Sequence, residues 1–454
     1  MKKTVLVILL AGLLALGGQA FADLCVIDAV PAATLLLPYF EVDYTNADGV
    51  TTLFSLNNAS ATAALAHITL WTNWSQPTVD FDVYLTGYDV VTVNMRDIFN
   101  GNIPITADDV SDPDDDISPQ GPISQDISFP TCINFFPFFV NPVIRGGNLE
   151  RVQDGHTGQP VSTLGANRCL GDDLGDLIGR GYITIDNVST CSTAFAFDVG
   201  YFIDGGVGIA NNNNQLWGDY FIVNPGENFA FGDNMVHVEA DDLFNATSTP
   251  TGYTFYNRYV PAQTGADNRE PLGTTWATRY LNGGAFTGGT DLIVWRDSTA
   301  NNQPSNGFAC TSAPDWFPLN EFEVIAFDEE EDAVEICFAN GGGVISPPDP
   351  GSDPACFPYE TGRYAFGQGD LSVPFNFGWT YLNLNLPLDN PTGDTDYGVS
   401  TFIAQSYVTA SHSASGRFQV GLQAVELTNA CEDLNPELNA SNEIDTFPFA
   451  NPNP

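Results

Sequence analysis

The sequence predicts an all-β protein of two tandem, related β-sandwich modules, immunoglobulin-like in kind, with long disulfide-stapled loop insertions. Three observations predict it. The first is composition. Aspartate outnumbers glutamate 40 to 16, beside 43 Gly and 30 Pro. Asp, Gly and Pro favour turns and caps over helix interiors. The second is a period-two alternation of β-branched and aromatic residues, the mark of half-buried antiparallel strands. The third is an internal similarity that keeps its order along the chain.

Taken in order, residues 1–22, MKKTVLVILLAGLLALGGQAFA, have a basic start, an apolar run from Val5 to Leu16 and small residues at Ala20 and Ala22. This is the pattern of a secretory signal peptide cut after Ala22. No later run approaches the roughly 20 apolar residues of a membrane helix. An extracellular or cell-surface location is therefore expected, with the periplasm as alternative.

Module 1 is expected over 23–246. TTLFSLNN from Thr51, AHITLW from Ala66, FDVYL from Phe81 and VVTVN from Val90 read as strands separated by turns. Met95–Phe99 reads as one short helical turn, and no stretch carries a longer helical period. An insertion rich in Pro, Gly and Asp spans about 101–179. Module 2 is expected over 247–431, with insertions at about 297–320 and 339–370, and 432–454 is a polar tail rich in Pro and Asn. The repeat sets TTLFSLNN against the segment from Thr274, and AHITLW against DLIVW. It sets FDVYL against FEVIAF, and RGYITIDNV against FGWTYLNLN. Trp71 and Trp295 fall at matched positions, which predicts core packing for both.

Eight cysteines in an exported chain favour disulfides, and six fall in or beside the insertions, where strandless loops need cross-links. The expected pairs are Cys132–Cys169 and Cys310 with Cys337 or Cys356. No C-x-x-C occurs and the four histidines are scattered, which argues against zinc.

The charge excludes several partners. The chain carries 13 Lys+Arg against 56 Asp+Glu, for a net −43, and Lys2 and Lys3 are its only lysines. Nucleic acids need a basic footprint, anionic membranes repel such a chain, and lysine chemistry is absent. The partners left are a cation, a neutral glycan or the chain itself. Calcium takes closely spaced oxygens, so Asp112, Asp114 and Asp116 in one acidic run, and Asp328 and Glu330 in another, are candidate ligands. The first run lacks the EF-hand Gly and Glu and reads most simply as a solvated loop. The second reads most simply as a hairpin turn. Asp204–Ala210 with the asparagines at 211–214 is a third oxygen-rich loop.

For catalysis, Glu239-Ala240-Asp241-Asp242 is the best linear carboxylate pair for glycoside chemistry. Ser411-His412-Ser413 reads as a polar turn, and no G-x-S-x-G elbow occurs. His156 sits in the first insertion, where a turn is the simpler reading. Trp217, Trp316 and Trp74 lie in loop-like contexts and are candidate sugar-stacking residues.

The stretches LPYFEVD, TTLFSLNNAS, AHITLWTNW, FDVYLTGYDV, NMRDIF, GYITIDNV, LWGDYFIV and TDLIVWRDS resemble a group of exported bacterial proteins to which no activity is attached. The resemblance spans most of the chain and implies secretion, with no catalytic residue or cofactor. The function expected is that of a secreted or cell-surface structural or adhesive protein without catalysis. The alternative is an extracellular carbohydrate-binding protein or glycan hydrolase.

Overall fold

The computed structural model describes residues 27–104, 144–241 and, with gaps that include 337–355 and 385–404, 254–427. Asp112, Asp114, Asp116, Cys132, Trp316 and Cys337 lie outside the described residues, as do the leader and the tail.

The first half holds β1 (Thr34–Val42), β2 (Thr51–Asn58), β3 (Ala64–Trp71), β4 (Pro77–Leu85) and β5 (Val90–Asn94). Helices α1 (Met95–Phe99) and α2 (Gly147–Thr157) follow, then β6 (Arg168–Cys169), β7 (Gly179–Val188), β8 (Leu216–Asn224), β9 (Phe229–Asn234) and β10 (Val236–Val238). The second half holds β11 (Thr275–Leu281), β12 (Gly289–Arg296), β13 (Phe308–Ala309), β14 (Glu323–Phe327) and β15 (Ala333–Glu335). It ends with β16 (Thr361–Phe366), β17 (Phe377–Asn383), β18 (Ser406–Ala414), β19 (Phe418–Gln423) and β20 (Val425–Glu426).

The sheets are antiparallel throughout. In the first half their strand orders are β10-β1-β7-β3-β4 and β5-β2-β8-β9. In the second they are β20-β11-β17-β14-β15 and β16-β12-β18-β19, read from the matching end. Each half pairs its two sheets face to face. Leu35, Ala66, Ile68 and Ile185 meet Phe54, Leu56, Tyr220 and Ile222 across one core. Trp276, Val324 and Leu382 meet Leu292, Val294 and Val408 across the other. Burying such a side chain contributes about 1.5–3 kcal/mol.

The two strand orders coincide only when β1 is set against β11, β2 against β12, β3 against β14 and β4 against β15. The sequence match had set β2 against β11, β3 against β12 and β4 against β14, one strand out of step. Alternating apolar strands of similar length align in either frame, and only their hydrogen-bonded neighbours distinguish the frames. At β7 and β17 the two matches agree.

The five-stranded sheet of the first half is covered on both faces. Its strands therefore read as nearly continuous buried runs, TLLLPYFEV in β1 and ALAHITLW in β3. One face meets the first core. The other meets a cover formed by segments within 191–211 and 254–272, which joins the second core through Leu36, Trp71, Tyr182, Tyr201 and Tyr256.

Three expectations change. The disulfide is Cys169–Cys310, 141 residues apart in sequence, in place of Cys132–Cys169 and of Cys310 with Cys337 or Cys356. The insertions of the two halves lie against each other: β6 pairs with β13, placing Phe308 opposite Cys169 and bringing the two cysteine Cα atoms to 4.9 Å. Cys191 and Cys356 are disulfide-bonded as well. The first insertion contains an 11-residue helix, α2, closed by Gly158 in the left-handed region (φ 71°). His412 lies in β18 rather than in a turn.

Candidate functional site

Four polar side chains stand in one row across the five-stranded sheet. Thr34 on β1 lies opposite Asp186 on β7, Asp186 opposite His67 on β3, and His67 opposite Asp82 on β4. Strand alternation explains the row. Ala64, Ala66, Ile68 and Leu70 of β3 pack into the first core, so His67 and Trp71 face the cover.

His67 Nδ1 lies 2.8 Å from Asp82 Oδ1, and its Nε2 lies 3.8 Å from Asp80 Oδ2. Asp82 Oδ2 accepts the Ser192 amide of the cover at 3.0 Å. Asp186 accepts the Thr34 hydroxyl at 2.5 Å, Tyr201 at 2.8 Å and Tyr256 at 3.0 Å. Above it, Arg269 stacks on Phe202 at 4.8 Å. Arg269 donates to Thr34 Oγ1 and to the Asn211 carbonyl, and its Nε lies 4.0 Å from Asp186. Thr34, His67, Asp82, Asp186 and Arg269 are all buried. Buried charges persist only when paired and hydrogen-bonded, and here each is.

Electrostatics follow the geometry. Burial alone would lower the His67 pKa. The hydrogen bond and field of Asp82, with Asp80 and Asp186, outweigh it and raise His67 above the ordinary histidine value. Burial pushes Asp80 up to about 6, against the opposing pull of His67. Burial, and then the field of Asp186, raise Tyr201 and Tyr256, keeping them neutral donors.

A second buried centre joins the halves. Arg258 meets Glu360 at 2.5 Å and Asp297 at 3.3 Å, and lies over the Tyr259 ring at 5.0 Å. Tyr259 in turn stacks on Trp71. Chemically, both centres fasten the cover to the sheets. The sequence carried one overlooked signal, a histidine and two aspartates at inward-facing strand positions, where an apolar residue is the rule.

The residues singled out from sequence are dispersed. Trp217 lies on β8, half-buried and stacked on His237 at 5.6 Å. Trp74 is buried rather than exposed, packed on Phe308 and Phe317 beside the Cys169–Cys310 bridge. Its loop lies under the insertion. Trp71 and Trp295 are buried, as expected for core packing. Asp328 and Glu330 form the β14–β15 hairpin turn, where Asp328 Oδ1 accepts the amides of Glu330 at 3.0 Å and Asp332 at 2.8 Å. Among the described residues, no group of three or more His, Cys, Asp or Glu is arranged to hold a metal ion. Asp204 lies beside Asn268 of the cover.

His156 is buried on α2, with Nε2 2.8 Å from Thr78 Oγ1 and Nδ1 2.9 Å from the Arg180 carbonyl. Burial pushes it down to about 4, so it is neutral. Burial, then Asp28 and Asp241, push Glu239 up to about 7.

Comparison with family models, with curated proteins and with solved structures finds no match to this chain.

Proposed function

We propose that the chain is a secreted or cell-surface structural or adhesive protein, built from two copies of one nine-strand unit and without catalytic activity. The observation that carries this reading is the common strand order of the two pairs of sheets. Backbone hydrogen bonds outside the ladders recur at matched positions and support it. Ala59 to Gln215 is matched by Asp297 to Gln405, and Asn58 to Asp89 by Arg296 to Glu360. Leu216 to Ala32 is matched by Ser406 to Gly273, Asn187 to Ala33 by Leu384 to Thr274, and Met235 to Gly218 by Ala424 to Val408. Gly181 and Gly378 are also counterparts. Any Cβ there would strike the carbonyl of Trp71 or of Phe327, themselves at matched strand ends. The buried polar groups also support a holding role, because they are spent on joining strands to the cover.

The leader pattern and the disulfide-bonded cysteines support export. The test applies tagged mature protein to washed cells and matrix of the native source, beside a screen of glycoside, ester and peptide substrates. Retention on the surface without turnover is expected. Efficient turnover of any substrate would sink the reading.

One observation favours a second reading, glycan binding or hydrolysis. Glu239, beside Asp28 and Asp241, has a carboxyl held up to about 7, as a general acid requires. Glycan turnover abolished by Glu239→Gln would favour it.

A further inference from the structure

One half of the chain already binds the other through a defined pair of surfaces. The receiving surface is the outer face of the β16-β12-β18-β19 sheet. Its Ile293 packs into the core of the first half. Arg363 meets Glu41 at 3.1 Å and Asp291 at 2.9 Å, Thr361 donates to the Pro38 carbonyl, and Thr409 donates to Asp233 at 2.7 Å. The inserting surface is the edge of the first half, formed by the end of β1 and by β9. Among the described residues β1 contacts β12 and β16, and β9 contacts β19.

The common strand order gives each of these surfaces a counterpart. The counterpart of the receiving face is the outer face of β5-β2-β8-β9, and it is exposed. Phe221 there is 49 % exposed, Val90 58 % and Leu53 36 %. The counterpart of the inserting edge is the end of β11 with β19. On it Val420 is 51 % and Leu422 47 % exposed.

The substitutions between counterparts are complementary. In register, Glu41 corresponds to Leu281 and Asp233 to Leu422 on the inserting edge. On the receiving face Arg363 corresponds to Thr92, Asp291 to Leu53 and Thr361 to Val90. The contact inside the molecule is held by charges. Its counterparts replace those four charges by Leu281, Leu422, Thr92 and Leu53, while Ser55 and Asp219 stand where Ile293 and Thr409 do. The exposed Leu53, Val90 and Phe221 of the face and Val420 and Leu422 of the edge give two surfaces of matching topology apolar ground on which to meet.

We infer that the outer face of β5-β2-β8-β9 is a docking surface for a second copy of this chain, which enters with its β11–β19 edge. The contact repeats, between molecules, the one that joins the two halves. It is heterologous, since face and edge differ, so it propagates or closes a ring according to its rotation. This inference rests on the two-unit reading above and names its partner.

The test is the mass of the mature, disulfide-intact protein by light scattering at about 0.15 M salt, with Phe221→Asp on the face and Leu422→Asp on the edge. The wild type is expected at twice the chain mass or more, and each variant at the chain mass. Mixing the two variants pairs the intact edge of one with the intact face of the other and restores a dimer. Val90→Asp repeats the face test if Phe221→Asp folds poorly by circular dichroism. A monomeric wild type, or assembly that both variants leave intact, would overturn the inference. Either result leaves the surface-retention test untouched, so the two claims fail separately.

Discussion

His67 and His156 are both buried, yet their pKa values move in opposite directions. His67 has Asp82 and Asp80 beside it, and their field overcomes burial. His156 has a hydroxyl and a carbonyl, and burial wins. Ring-proton shifts are expected to show His67 titrating above the ordinary histidine value, and His156 neutral down to about pH 4. A folded pKa below the unfolded one gives stability that is present above pH ~6.5 and lost as pH falls through the folded value. Wild type should therefore lose roughly 3 kcal/mol more than His156→Gln between pH ~6.5 and ~4. Equal acid sensitivity of the two proteins would contradict this. Little of this chemistry was legible in the sequence. A histidine in AHITLW shows its strand position and not the aspartates across from it. Trp74 was misjudged for the same reason, because a loop position says nothing of what lies on the loop.

At the scale of elements, strands were legible and their long-range partners were not. The hairpin at Asp328 could be read from its acidic turn between two apolar runs. Its carboxylate serves the turn's own amides. Asp328→Ala is expected to cost about 1 kcal/mol, equally in calcium and in chelator. A cost that appears only with calcium would restore the metal reading. Helix α2 escaped notice because GNLERVQDGHT offers only Leu149 and Val152 as apolar anchors and holds two glycines. Its place under β4 and β7 comes from packing rather than periodicity. The Cys169–Cys310 bridge escaped because loops were read as self-contained, whereas β6 and β13 pair across the halves. The double variant Cys169→Ser/Cys310→Ser is expected to lose about 5 kcal/mol in urea unfolding, from a closed loop of 141 residues. No loss would mean that the β6–β13 ladder already holds the halves together.

At the scale of the whole molecule, the all-β class followed from composition and alternation. The sequence match and the common strand order differ by one strand, because ladder neighbours, not local pattern, set the strand order. The net charge of −43 sets a further expectation for assembly. Two copies repel at long range and attract through apolar surface, so association should strengthen as salt screens the charge. Association that weakens with salt would instead point to ion pairs between copies. The most direct measurement is a cross-link between the two counterpart surfaces. Asp219→Cys protein, mixed with Leu422→Cys protein and oxidised, should give a disulfide-linked dimer of one of each, because their counterparts Thr409 and Asp233 meet at 2.7 Å. A mixture that stays monomeric, or links only like with like, would contradict the head-to-tail contact and leave the common strand order of the two halves standing.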